Sequence, residues 1–295
     1  MNDDPQPGST PPNGGNGEER DRSWGREYLF AQAVIVLAIA AAIVAAIISQ
    51  DRGLASLEMQ AERPAAPSSG FTIVQQGSAP PILCPGGAPS EHPTAEDGLA
   101  RDCAALLSAL PTLVGDGELD WSVDVPITQW QGVIVAGDQS RVVALDLTTS
   151  GLSGQIAPEL GQLSALQSLH LYGNELTGRI PEELSHLGNL TILDLGGNRL
   201  TGEIPSQLGD MATLTWMDVS FNDLSGPIPD ELSNLDRLEW LVIAGNDLTG
   251  PITGKLDDLI KLEYLSIYET GLTGCLPDRL KGVDGLLGDV PFCDD

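Results

Sequence analysis

The chain has 295 residues and a formal net charge of −28 at pH 7, from 42 acidic and 14 basic residues. A length of this order accommodates one or two ordinary domains. The excess of negative charge argues against nucleic acid and anionic lipid headgroups as partners of the folded part, because both would be repelled. It favours basic or neutral partners, and the alternative is a solvated acidic surface that serves only solubility.

Residues 1–96 are rich in Pro, Gly, Ala and Ser and contain one long apolar segment. We predict a disordered cytoplasmic segment at residues 1–27 and a stalk at residues 49–96. Residues 28–48 contain no charged side chain and are long enough for one transmembrane helix across a bilayer core of roughly 30 Å. A cleaved secretory signal is the alternative, with Gly53-Leu54-Ala55 as a small-x-small cleavage site.

The charges that flank the apolar segment predict its orientation. Three arginines precede it and two follow it, so the positive-inside rule places the N-terminus in the cytoplasm and the rest of the chain outside the cell membrane. The preceding residues are Arg20, Arg22 and Arg26, and the following ones are Arg52 and Arg63. Within the segment, small residues at four-residue spacing could pack against a partner transmembrane protein. These are Ala38, Ala42 and Ala46.

Residues 97–141 are predicted to cap the structure that follows. Their first part places apolar residues on one face at helical spacing, which predicts an amphipathic helix ending near Pro111. The residues on that face are Leu99, Cys103, Leu106, Leu107 and Leu110. A cap is needed because the first strand of a stacked array would otherwise expose a sheet edge and an apolar core.

Residues 142–285 contain one pattern six times with a period of 24 residues. The copies begin at Val142, Leu166, Leu190, Leu214, Leu238 and Leu262. L-x-x-L-x-L predicts a short strand whose leucines point inward, so stacked copies should form a solenoid with a parallel sheet and strands roughly 4.8 Å apart. The ninth position holds asparagine in four copies, and its amide can bond the backbone of the tight turn. These are Asn174, Asn198, Asn222 and Asn246.

The full pattern, L-x-x-L-x-L-x-x-N-x-L-x-G-x-I-P, resembles the plant-type leucine-rich repeat of receptor-like proteins, receptor kinases and polygalacturonase inhibitors. Its G-x-I-P element stands at residues 178–181, 202–205 and 226–229, whereas Ala157 and Thr253 replace the proline in the first and fifth copies. The resemblance implies an α/β solenoid, a curved repeat array with a parallel concave sheet and a helical N-terminal cap. It also implies binding of a partner on the concave face and no catalysis.

The order of residues before the repeats resembles the N-terminal cap of the same family. Asp102-Cys103-Ala104-Ala105-Leu106-Leu107 matches its D-x-x-A-L-L element, and Trp130-Gln131-Gly132-Val133 matches its W-x-G-V element. The family usually closes this cap with a disulfide, but Ile127 and Val135 stand at the two positions. We therefore expect packing to replace that bond, with the tryptophans in the core of the cap.

The four cysteines form no C-x-x-C pair, and the chain has only three histidines, so no metal site is predicted. Proximity in sequence favours Cys84 with Cys103 and Cys275 with Cys293 among the three connectivities that four cysteines allow. The second bond would hold the C-terminal cap, residues 286–295, over the last repeat. Disulfides persist outside the cytosol, which agrees with the orientation given by the arginines.

Alternation along each strand places the second, third, fifth, seventh and eighth positions of a copy on the solvent-facing concave side or its edge. Aromatic residues make up 4% of the chain, yet several of them fall on this face together with carboxylates, as in recognition surfaces. The candidate ligand-binding residues are Trp216, Trp240, Tyr264, Tyr172, Tyr268, His170, Asp194 and Asp218. The alternative is that neighbouring aromatics cover one another and stiffen the sheet.

The sequence contains no phosphate loop, nucleophile elbow or kinase motif set, and we predict neither a catalytic residue nor a cofactor. It predicts a single-pass membrane protein whose outward repeat module binds a protein or peptide. Such a chain would act as a receptor-like or co-receptor component without its own catalytic domain. The alternatives are a structural or adhesive surface protein, or a secreted inhibitor-like binding protein if the apolar segment is cleaved.

Overall fold

The computed structural model describes residue 84, residues 97–252 and 254–285, residue 288 and residues 290–293. The predicted cytoplasmic segment, the apolar segment and all of the predicted stalk except Cys84 lie outside these residues. In the part of the chain that is described, no helix is both long enough and apolar enough to cross a membrane. The predicted segment boundaries therefore stay predictions.

An α-helix, α1 (Asp97–Val114), precedes the repeats and continues one turn past Pro111. Its last carbonyls accept hydrogen bonds from the first repeat, with Gln155 N donating to Thr112 O at 2.7 Å and Ser153 N to Val114 O at 3.1 Å. Between those two donors, a Cβ on Gly154 would lie 2.0 Å from Thr112 O, so only glycine allows this close approach. The helix end is thus bonded directly to the repeat array.

Two tryptophans form the core of the segment between α1 and the repeats. Trp121 and Trp130 are buried, and their rings stack with centroids 5.7 Å apart. Both indoles donate to backbone carbonyls, Trp121 Nε1 to Gln131 O at 2.9 Å and Trp130 Nε1 to Val125 O at 2.9 Å. Ile127 is fully buried beside them, so an apolar side chain packs where the family would have a cysteine.

The main sheet contains strands from every repeat. Strand β1 (Val133–Val135) pairs antiparallel with β2 (Val142–Asp146) and so covers the first edge. The other strands are parallel: β3 (Ser168–His170), β4 (Ile192–Asp194), β6 (Trp216–Asp218), β8 (Trp240–Val242) and β10 (Tyr264–Ser266). Their order is β1-β2-β3-β4-β6-β8-β10. Each residue pairs with the one 24 positions later, as Leu169 does with Leu193, so the predicted parallel sheet is confirmed.

A second sheet, which the sequence analysis did not predict, follows the asparagine turns. Its strands are β5 (Thr201–Gly202), β7 (Asp223–Gly226), β9 (Asp247–Pro251) and β11 (Gly271–Thr273), in the order β11-β9-β7-β5. One 3-10 helix then returns each copy to the main sheet. These helices are Pro158–Gln162, Glu182–His186, Ser206–Asp210, Asp230–Asn234, Gly254–Asp258 and Asp278–Gly282.

The core lies between the two sheets and the 3-10 helices and consists mainly of the repeat leucines. The asparagines bond the turns as predicted. Asn222 Oδ1 accepts from Leu200 N at 2.9 Å, while its Nδ2 donates to Leu195 O at 3.1 Å and Val219 O at 3.0 Å. Each amide therefore joins the backbone of its own copy to that of the copy before.

Both predicted disulfides are confirmed. Cys84 pairs with Cys103 of α1, and Cys275 pairs with Cys293. The second bond lies beside two backbone hydrogen bonds, Leu276 N to Pro291 O at 2.8 Å and Cys293 N to Leu276 O at 2.9 Å. The described residues near the C-terminus are thereby held on the last repeat.

Candidate binding face

We call the side of the main sheet opposite the leucine core the outer face. The register of the strands brings three candidate residues together there, because Trp216 pairs with Trp240 and Trp240 with Tyr264. Their rings form a continuous aromatic stack, with centroids 4.8 Å apart for the two tryptophans and 4.5 Å apart for Trp240 and Tyr264. The structure thus joins the three aromatic residues that the sequence placed at one position of successive copies.

The predicted exposure of the aromatic stack is only partly correct. Trp240 and Tyr264 are half-buried, but Trp216 is 2% exposed, so its prediction as a solvent-facing residue is wrong. Trp216 pairs with Ile192 on one side and stacks on Trp240 on the other, and these neighbours remove it from solvent. Its indole Nε1 is buried without a hydrogen-bond acceptor.

The fifth positions form a polar column in which His170 pairs with Asp194 and Asp194 with Asp218. Both carboxylates are buried, which contradicts their predicted exposure. The reason is local: Asp218 Oδ1 accepts from Ser220 N at 2.9 Å and from Ser220 Oγ at 2.6 Å, and Asp194 Oδ1 accepts from Gly196 N at 3.4 Å. His170 Nδ1 lies 3.8 Å from Asp194 Oδ2. These residues stabilise the turn that follows each strand.

The two candidate tyrosines lie far apart along the array. Tyr172 is 8% exposed, so its prediction as a solvent-facing residue is wrong. A Cβ on Gly196 would lie 3.2 Å from Tyr172 Cδ2, so the absence of a side chain there makes room for the ring. Tyr268, in contrast, is half-buried in the same copy as Tyr264, and its ring meets the edge of Phe221 with centroids 6.1 Å apart.

A row of carboxylates borders the aromatic stack, and the sequence analysis did not single it out. The row consists of Glu239 and Glu263, at equivalent positions of neighbouring rungs, and Asp284, which pairs with Tyr264 on the next rung. Glu263 N donates to Glu239 O at 2.8 Å and Asp284 N to Glu263 O at 2.9 Å. Glu263 and Asp284 are exposed and Glu239 is half-buried. The two glutamates could have been found from the sequence, because each immediately precedes the aromatic residue of its copy, Trp240 or Tyr264.

A groove of about 1070 Å³ lies elsewhere on the repeats, along the G-x-I-P elements. Its lining includes Pro181, Pro205 and Pro229 together with Glu182 and Glu203, and it contains no aromatic side chain. Among the residues that the structure describes, no three His, Cys, Asp or Glu side chains are grouped so that they could hold a metal ion. The outer face therefore remains the strongest candidate site.

Comparison with known proteins identifies the class. Leucine-rich repeat family models match residues 140–200 and 213–235. The crystal structure of the BIR2 ectodomain from Arabidopsis thaliana is 33% identical over 59% of this chain and 94% of that chain, with a TM-score of 0.51. The chain belongs to the leucine-rich repeat proteins. No curated protein matches its sequence significantly.

Two further solved structures extend the comparison. A chain in the crystal structure of the Arabidopsis receptor kinase HAESA with the peptide hormone IDA and the co-receptor SERK1 is 30% identical, with a TM-score of 0.59 over 64% of this chain. Our chain spans 33% of that one, or about a third of its length. A plant ice-binding protein is 32% identical over 64% of this chain and 62% of that chain, with a TM-score of 0.56. The matches indicate no enzyme family, and the fold alone does not select one function.

Proposed function

We propose that this chain is a receptor-like or co-receptor module that binds a protein or peptide on its outer face, centred on Trp240 and Tyr264. The single observation behind the proposal is the half-buried, stacked pair of rings on a sheet face, in a chain with only 4% aromatic residues. Trp and Tyr are the residue types that most often dominate binding energy at interfaces. The stack also fixes both rings, so little side-chain entropy is lost when a partner binds.

The structural neighbours support a protein or peptide as the partner. HAESA is described in complex with a peptide hormone and a co-receptor, and BIR3 in complex with SERK2. Both described disulfides support a location outside the cytosol, where such bonds persist. The apolar residues 28–48, which lie outside the described part of the chain, would supply a membrane anchor.

The test is affinity capture from native membranes and culture medium with the full-length chain and with Trp240→Ala/Tyr264→Ala. We expect a discrete partner that the double variant loses. The matched control is Ile260→Ala, because Ile260 is 71% exposed and is not part of the outer face. Circular dichroism and thermal unfolding establish that each variant is folded. Equal capture by the wild type and the folded double variant would show that Trp240 and Tyr264 do not contribute to binding of the partner.

A further inference from the structure

The carboxylate row has no neutralising partner in the part of the chain that the structure describes. Glu239, Glu263 and Asp284 form no ion pair among the described residues, although their backbones are bonded rung to rung at 2.8 and 2.9 Å. Like charges on directly opposite positions of neighbouring strands destabilise a sheet. The free protein therefore contains a repulsion that a cation from outside would relieve.

This repulsion is confined to the part of the sheet beside the half-buried rings. The equivalent positions in earlier copies are uncharged, namely Val143, Gln167, Thr191 and Thr215, and their backbones form the same ladder of hydrogen bonds. In the last two copies the position is occupied by glutamate, immediately before Trp240 and Tyr264. The acidic row therefore lies beside the half-buried part of the aromatic stack. The fold does not require charge at this position, since four copies form the same strand without it.

The nearest basic residues in sequence, Arg237 and Lys261, are exposed and lie two residues before Glu239 and Glu263, but no ion pair joins them to the row among the described residues. The first eight positions of the six copies contain neither lysine nor arginine. They do contain exposed Asp146 and exposed Glu269 in addition to the row. A face with one sign of charge attracts partners of the opposite sign from a distance and repels acidic ones.

A separate observation points to a polar group supplied by a partner. Trp216 Nε1 is buried without an acceptor, whereas the indoles of Trp121 and Trp130 both donate to carbonyls. Buried donors are almost always paired in folded proteins, so an unpaired one calls for an explanation. Trp216 belongs to the aromatic stack of the outer face, and the backbone carbonyls of an extended peptide lying on that face are acceptors of the required kind.

The arrangement of the rings separates two kinds of contact. Trp240 has Trp216 stacked on one face and Tyr264 on the other, so the ring edges, not the ring faces, are left for a ligand. Aromatic edges are the positive part of the ring quadrupole and do not attract cations. An apolar side chain therefore suits the ring edges, while cationic side chains suit the carboxylates beside them.

We infer that the partner of the outer face is a basic peptide segment in which Lys or Arg side chains flank an apolar or aromatic residue. The apolar residue packs on the edges of Trp240 and Tyr264, and the flanking cations pair with Glu239 and Glu263. This inference rests on the proposed function, since it specifies the chemistry of the partner at the same face.

The experiment selects peptides from a random displayed library against the full-length chain in non-ionic detergent. We expect enrichment of Lys or Arg beside an apolar residue. The best peptide is then synthesised with arginine and with citrulline, its neutral isostere, and binding is measured by calorimetry. Citrulline should weaken binding about tenfold, as should Glu239→Gln/Glu263→Gln with the arginine peptide.

The matched control is Asp210→Asn/Asp236→Asn, which removes the same charge from exposed carboxylates outside the first eight positions of any copy. It should change the affinity by no more than about twofold, because neither carboxylate belongs to the carboxylate row and salt weakens the remaining long-range attraction. Equal losses in the control and the glutamate variant would overturn the inference, since net charge alone would then explain binding.

The remaining outcomes separate this inference from the proposed function. Peptides that require Trp240 and Tyr264 but contain no Lys or Arg would overturn the basic-peptide inference and leave the proposed binding face standing. A selection that returns no enriched peptide would count against both. Basic peptides that bind equally well to Trp240→Ala/Tyr264→Ala would also overturn the inference, because the apolar contact would then be absent.

Discussion

Arg141 and Asp102 form a two-pronged ion pair that joins the repeat array to helix α1. Arg141 Nε lies 3.0 Å from Asp102 Oδ2, and Arg141 Nη2 lies 2.9 Å from Asp102 Oδ1. Asp102 also accepts a hydrogen bond from Val142 N at 2.7 Å and is fully buried. One carboxylate thus connects α1 to the side chain before the first strand and to the backbone of that strand.

Arg141→Met should destabilise the protein by about 3 kcal/mol, because it leaves the buried Asp102 carboxylate without its cation. Urea unfolding of the full-length chain measures the loss. The control is Arg199→Met, since the ion pair of Arg199 with Glu175 is exposed on both sides and should contribute less than about 1 kcal/mol. Equal costs for the two substitutions would contradict a special role for the buried pair.

The same pair predicts how stability depends on pH. The hydrogen bonds to Asp102 raise the pKa of Arg141 above its usual value. A folded-state pKa above the unfolded value gives stability that is present at low pH and lost only as the pH rises past it. Arginine loses its proton only above about pH 12, so its contribution should stay constant from neutral pH upward through the working range. The prediction would be contradicted if the free energy of unfolding fell between pH 7 and pH 10 in the wild type but not in Arg141→Met.

The asparagine ladder predicts a second stability effect. Asn222→Ala leaves Leu200 N buried without its acceptor, whereas Leu195 O and Val219 O each keep a hydrogen bond from a neighbouring asparagine, so we expect a loss of about 2 kcal/mol. Asn234 lies exposed in a 3-10 helix of the same copy, and Asn234→Ala should cost less than about 0.5 kcal/mol. Chemical denaturation compares the two, and similar midpoints would show that the ladder contributes little.

The strand register was predictable from the repeat period, because equivalent residues of successive copies must lie side by side in the sheet. Each copy must return the chain by one strand spacing, so a pattern of 24 residues fixes the pairing of Leu169 with Leu193 and of every later pair. The second sheet was not predictable in the same way. Its strands contain at most one buried residue among polar residues and glycine, as β7 (Asp223–Gly226) does, and they lack the apolar alternation that indicates a strand.

Exposure on the outer face could be predicted only in part. Alternation shows which side of a sheet a residue occupies, but it does not show what neighbouring side chains cover. Trp216 is buried because another ring stacks on it, and Asp218 because Ser220, two residues later, bonds its carboxylate. Both effects depend on side-chain conformations that a one-dimensional pattern does not contain.

The unpaired indole of Trp216 leads to a fourth prediction. Trp216→Phe removes a buried donor that has no acceptor, and this gain offsets part of the lost packing, so we expect a change below about 1.5 kcal/mol. Trp130→Phe removes a donor that is bonded to a carbonyl and should cost about 2 to 3 kcal/mol. Thermal and urea unfolding give both values. A larger loss for Trp216→Phe than for Trp130→Phe would mean that the Trp216 N–H is satisfied in solution.

The carboxylate row gives the last prediction, which combines stability and binding. Glu239→Gln/Glu263→Gln removes a repulsion between neighbouring strands and should stabilise the unliganded chain by about 0.2 to 1 kcal/mol. The same change should weaken binding of a basic peptide, so stability and affinity would move in opposite directions. Added salt should reduce both differences, because screening weakens the repulsion between the glutamates and their attraction to a cation alike. A purely structural role predicts the opposite sign for stability, and a variant that unfolds more easily than wild type would therefore show that the glutamates serve the fold and not a partner.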